Sequence, residues 1–258
     1  MSERRGRGIV EFVRPDRIDQ VSRYPISRVI SLLGLLAAVA TGQFVTAGPR
    51  AEIPEVDLAL VLAVDCSYSV DAAEFRLQMQ GLAQAFRRVD IHEAIRRGAK
   101  GRIAVIVMEW SDDKKQQLLG SWAVLDTSAS ALAFAEYIAN GGRVLAPGST
   151  AIGDALRFAA SVLVTAPFHA DRRVIDISSD GYNNRGDLVI IARDEVVARG
   201  ITINGLPILN EFPTLDRYFE QQVVGGPNHF MISARDYDAF ANAIARKLLQ
   251  EITGPGIS

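Results

Sequence analysis

A chain of 258 residues is long enough to bury one α/β core with a short appendage, and its 48% hydrophobic and 22% charged residues are those of a folded globular protein. The formal net charge of −2, with no basic stripe, points away from a nucleic-acid partner. A lone cysteine, Cys66, excludes an internal disulfide and leaves the redox compartment open.

The charge is uneven along the chain. Seven arginines against four acids give +3 over residues 1–28 and leave −5 for the remainder. From Val29 to Ala47 no charged residue occurs, and VISLLGLLAAVA leads to Val45-Thr46-Ala47, a small-residue pattern suited to signal-peptidase cleavage. Residues 1–28 therefore read as a polar, Arg-rich leader, 29–47 as the apolar region of a secretory signal, and 48–54 as a linker broken at Gly48-Pro49. This assigns the protein to the periplasm or the exterior. The alternative is an uncleaved signal-anchor that fixes it to the inner membrane with its domain outside.

The domain is expected over 55–252, with a tail at 253–258. Val56 to Val64 is a near-continuous apolar run, the pattern of a strand covered on both faces of a parallel sheet. Phe75, Met79, Leu82, Ala83 and Phe86 recur at helical spacing, which predicts a helix over 72–88 with Asp71 as its cap. Strands follow at 102–110 and 117–125, joined by a short polar segment that predicts a hairpin and so one antiparallel edge. A helix is expected over 129–139, and PGSTAIGDAL, Pro147 to Leu156, reads as a loop running into a helix that reaches Leu163. Then come a strand at 173–178, a helix at 187–199 and a strand at 201–208. A short helix at 215–223, a last strand at 229–232 and a helix at 237–252 close the chain. This alternation predicts a doubly wound, mostly parallel sheet with helices on both faces.

The candidate chemistry lies in three loops. Asp65, Ser67 and Ser69 alternate just past the first strand, where open α/β sheets place their ligands; Thr150 precedes a helix; Asp180 follows another strand. Two carboxylates and three hydroxyls form an all-oxygen set suited to a hard divalent ion, Mg²⁺ above all, with Mn²⁺ or Ca²⁺ as alternatives. Taken singly, each residue has a plainer role, as a helix cap or a turn. Capping does not require this combination across three loops.

DCSYS at Asp65 to Ser69, GSTAIGDAL around Thr150 and SSDG around Asp180 resemble the metal-ion-dependent adhesion site of von Willebrand factor A domains. The family pattern is DxSxS, then a threonine, then an aspartate, and all five positions occur in order. The resemblance covers nearly all of Glu55 to Ile252, and extends to a group of secreted bacterial proteins built from such a domain and little else. It implies a Rossmann-like fold with the metal at the top of the sheet and Ser67 and Ser69 as direct ligands. Thr150 would alternate between direct and water-mediated contact, with Asp65 and Asp180 acting largely through water and hydrogen bonds. Tyr68, at a variable position of the motif, is bulkier than many family members carry there.

These readings give a binding module, not an enzyme: a Mg²⁺-centred site that captures a carboxylate on a protein partner. A second hypothesis is a metal-dependent phosphoryl-transfer hydrolase with Asp65 as nucleophile. Against it, Ser67 stands where such enzymes place a second acid, and the phosphate-binding and nucleophile-elbow motifs are absent. A third is a structural domain whose metal site is empty. Among other residues, His92, His169 and His229 lack metal-ligand spacing, and Glu109, Asp112 and Asp113 read as solvated turn residues or an acidic lip. Asn183, Asn184 and Arg185 form a polar loop open to a partner, and Cys66 reads as a buried small residue.

Overall fold

The computed structural model describes residues 53–254. The leader, the signal or anchor region and residues 255–258 lie outside the described residues. Among the described residues no helix is long and apolar enough to cross a membrane.

Five strands form the sheet: β1 (Glu55–Asp65), β2 (Ile103–Trp110), β3 (Gln116–Leu125), β4 (His169–Ser179) and β5 (Thr202–Pro207). Their order is β3-β2-β1-β4-β5. Only β3 runs antiparallel, against β2, as the hairpin pattern predicts. Around the sheet lie α1 (Ala72–Phe86), α2 (Val89–Arg97), α3 (Ser128–Ala139), α4 (Ile152–Val164), α5 (Val189–Ala198), α6 (Leu215–Tyr218) and α7 (Tyr237–Thr253). A π-helical turn, Phe219–Val223, extends α6.

The apolar run of β1 is buried on both faces because successive side chains serve different layers. Leu58, Leu60, Leu62 and Val64 pack with Phe75, Met79 and Leu82 of α1 and Phe240 and Ile244 of α7. Ala59, Val61 and Ala63 pack with Ile152, Leu156 and Ala159 of α4. Each fully buried leucine on the first face contributes about 2 kcal/mol by its removal from water. Gly81 sets the approach of α1 to α7, since a β-carbon there would stand 2.8 Å from the Phe240 ring.

One helix was not foreseen and one expectation is corrected. The helix expected over 72–88 is α1, which ends at Phe86; Arg88 takes an extended conformation (ψ 138°), and α2 begins at the next residue. The segment 229–232 is not a strand; it meets β5 through one isolated bridge, Gly205 with Met231, and through the Phe230 N–H, which donates to the Asn204 side chain at 3.0 Å. Gly226 and Asn228, both at positive φ, turn the backbone just before it and prevent a continuous ladder.

Candidate metal site

β1 and β4 are parallel neighbours, but β1 is followed by β2 on one side and β4 by β5 on the other. The crevice between their carboxyl ends is therefore the switch point of the sheet, where its ligands are expected. The register pairs Val64 with Ser178, so Asp65 and the Ser179-Asp180 turn emerge side by side.

There the residues picked out by the sequence converge. Asp65 and Asp180 are fully buried, with Ser67 and Thr150 nearly so. The Ser67 and Ser69 hydroxyls lie 3.1 Å apart, and Ser69 donates to Asp180 Oδ1 at 2.6 Å. The backbone N–H of Ser67 donates to Asp65 Oδ1 at 2.7 Å, and the Ser179 hydroxyl donates to Oδ2 at 2.5 Å. Thr150 comes from the loop before α4; a β-carbon on Gly181 would stand 3.4 Å from its Oγ1. Thr150 and Ser69 line one cavity of about 360 Å³, with Tyr68, Tyr182, Glu211 and Phe212 on its walls.

The plainer roles do not hold for the hydroxyls. Asp71 caps α1, in a reciprocal capping box with Glu74, so Ser67 and Ser69 are not its caps. Thr150 precedes Ala151, the N-terminal cap position of α4, where no side chain caps the helix.

The electrostatics of the cluster are one-sided. Burial first, and the charge of Asp180 second, push the Asp65 carboxyl up to about 7. Among the described residues, neither Asp65 nor Asp180 forms an ion pair with any Lys, Arg or His. Hydrogen-bond donors alone meet two buried acids, an arrangement that a divalent cation would complete. The donor set fits such an ion in kind, since every group in it is an oxygen. Among the described residues no group of three or more His, Cys, Asp or Glu side chains is placed to hold a metal ion, so this set depends on its hydroxyls as well as its two acids. Cys66, beside Asp65, directs its thiol at Trp110 O, 3.2 Å away, and burial pushes it up to about 12. It is a packed, protonated thiol.

Several residues that hold the site were missed from sequence. Tyr237, at the start of α7, donates its hydroxyl to Asp180 Oδ2 at 2.9 Å; burial, then the nearby acid charges, raise its own ionisation well above the ordinary value. Gln78 interrupts the apolar face of α1 and bridges Asp65 O, at 3.2 Å, to the Ser178 hydroxyl. Glu109 is corrected outright: it is not a solvated turn residue but fully buried at the end of β2. Its carboxylate accepts the N–H groups of Val144 and Leu145 at 2.9 and 2.8 Å, and burial raises its pKa. This fastens the loop that carries Arg143, whose guanidinium donates to the carbonyls of Cys66 and Val70. The clue in sequence was a carboxylate inside the apolar run IAVIVMEW.

Of the remaining residues, Asp112 and Asp113 lie 3.7 Å from Arg185 as a half-buried turn. Asn184 ties two loops of the site together, accepting from Thr150 N–H and donating to Thr150 O, both at 2.9 Å. His92 packs in α2 against Phe86 O at 2.7 Å. His229 turns to Gly226 O at 2.8 Å, and His169 is exposed at the start of β4.

The architecture is that of von Willebrand factor type A domains. Similar structures include proximal thread matrix protein 1 of the mussel byssus, described with a zinc-occupied MIDAS motif, at TM-score 0.53 and 15% identity over 76% of this chain and 45% of that one. A von Willebrand factor type A structure from Catenulispora acidiphila matches at TM-score 0.51 and 17% identity, over 76% of this chain and 43% of that one. BatB from Bacteroides thetaiotaomicron matches at TM-score 0.51 and 14% identity, over 76% of this chain and 100% of that one. This chain thus spans less than half the length of the first two, and at these identities the likeness establishes the fold alone. The family model described as "Protein of unknown function (DUF1194)" matches residues 55–256, and the chain belongs to that family. No curated protein matches the chain.

Proposed function

We propose that the domain is a binding module, periplasmic or secreted, in which Asp65, Ser67, Ser69, Thr150 and Asp180 hold Mg²⁺ and the held ion captures a carboxylate on a protein partner. The observation that carries this reading is the pair of fully buried acids with no protein cation beside them. Bound Mg²⁺ would supply a positive charge with an exchangeable position. Ser69 and Thr150 reach the cavity directly, whereas Asp65 does not line it and has hydrogen bonds on both oxygens. That placement supports a supporting role for Asp65 through hydrogen bonds and water. It also speaks against Asp65 as the nucleophile of a phosphoryl-transfer enzyme, which must meet its substrate.

The test is a Mn²⁺ titration of the full chain followed by electron paramagnetic resonance, with Mg²⁺ as competitor. Saturable binding is expected in the natural sequence and lost in Asp65→Ala and Asp180→Ala. Equal weak binding in all three removes the metal site. A pulldown from periplasmic extract with and without EDTA then looks for a metal-dependent protein partner.

A further inference from the structure

The cavity beside the metal cluster has a second wall of different character. Tyr68 stands 76% exposed, Phe212 is 39% exposed, and the rings of Tyr182 and Phe212 meet edge to face with centroids 5.0 Å apart. Tyr218 backs Tyr182 at 4.9 Å, and the Tyr182 hydroxyl is fixed to Thr214 Oγ1 at 2.9 Å. The aromatic wall is thus braced from behind while its front faces the cavity. Glu211 lies on the same wall and makes no ion pair among the described residues. The Glu74 carboxyl is raised by burial first, and then by the charges of Asp71, Asp180 and Glu211. The rim is therefore acidic as well as aromatic.

A partner bringing only a carboxylate would meet repulsion from Glu211 on its way to the ion. Aromatic faces beside an unpaired carboxylate favour a planar, weakly hydrated cation, which stacks on the rings and forks onto the acid. Guanidinium meets both demands better than ammonium, which is compact and strongly hydrated. We infer that this cavity receives an arginine side chain of the partner, carried by the same segment whose carboxylate meets the metal. The inference rests on the metal-dependent reading for the carboxylate, and on Glu211, Phe212 and Tyr182 alone for the arginine.

Its test uses ethylguanidinium as probe, with ethylammonium and the neutral isostere ethylurea as controls. Each is titrated into the full chain carrying ¹³C-labelled tyrosine, in Mg²⁺, and ring signals are followed by NMR. Ethylguanidinium should shift the Tyr182 and Tyr68 signals saturably and more tightly than either control. Glu211→Gln and Phe212→Ala should each weaken it about fivefold. Asp180→Ala should abolish Mn²⁺ binding yet leave the guanidinium response in place, which separates the two claims. Unshifted tyrosine signals, equal binding of ethylurea, or full binding by Glu211→Gln would overturn the arginine site. The Mn²⁺ titration of the same samples reports independently on the metal.

Discussion

Strand β4 serves two pairs of buried carboxylates that are treated in opposite ways. Asp176, within the strand, and Glu251, on α7, both close on Lys247 Nζ, at 2.7 and 2.6 Å, and Asn204 donates to Glu251 at 2.9 Å. The Phe230 ring lies 5.4 Å from the same ammonium. Asp180, just past the strand, and Asp65 close only on hydroxyls and a backbone N–H. An isolated buried charge is expensive, so a pair with a structural role is given its cation by the fold. The pair at the switch point is given none, although Arg143 lies close enough to bond the carbonyl of neighbouring Cys66. The difference is the one that the proposed metal site calls for.

The largest way to break this contrast is to remove the internal cation. Lys247→Met leaves Asp176 and Glu251 buried without compensation and should cost about 3–5 kcal/mol. In a thermal melt this appears as a fall of roughly 10 °C. Asp180→Asn, melted in EDTA, should cost little or even stabilise, because it removes one of two repelling charges.

Addition of Mg²⁺ should reverse that order. At a hundredfold excess over its dissociation constant, Mg²⁺ should stabilise the natural chain by about 2.7 kcal/mol. Asp180→Asn should show no such rise in its melting temperature.

A third prediction concerns pH and the share of the Lys247 cluster in it. Burial, and then the charge of Asp176, raise Glu251 from 4.5 to about 7. Between those values the folded chain holds a proton that the unfolded chain has released, so stability falls as pH rises through the window and is flat above it. The fall should be about 3 kcal/mol at most, read from urea melts at the two ends of the window. Glu251→Gln should remove this share of the fall and leave the share of Asp65, whose carboxyl is raised over the same window.

The smallest effect is expected at Tyr237→Phe, which removes one donor from Asp180. Without metal it should lower stability by about 1 kcal/mol in a urea melt. In Mg²⁺ the loss should shrink, because the ion would meet the same charge.

Much of this contrast was legible in the amino-acid sequence. The unbroken apolar run of β1, its polar end and the ordered threonine and aspartate located one pair and the fold around it. The other pair was invisible because Lys247 and Glu251 sit one helical turn apart in α7, where a charged i,i+4 pair ordinarily faces water. Only the packing of α7 against β4 and β5 turns them inward. Glu109 was misread for a similar reason: its partners are backbone N–H groups of a loop 35 residues away, and no side-chain pattern announces them. The break between α1 and α2 has no glycine or proline to signal it, only a change of backbone conformation at Arg88.

The most direct measurement is an anomalous difference map from crystals of the full chain soaked in Mn²⁺. The account predicts one strong peak bounded by the hydroxyls of Ser67, Ser69 and Thr150 and none beside Lys247. A bare switch point, or a peak at Asp176 and Glu251 instead, would contradict it.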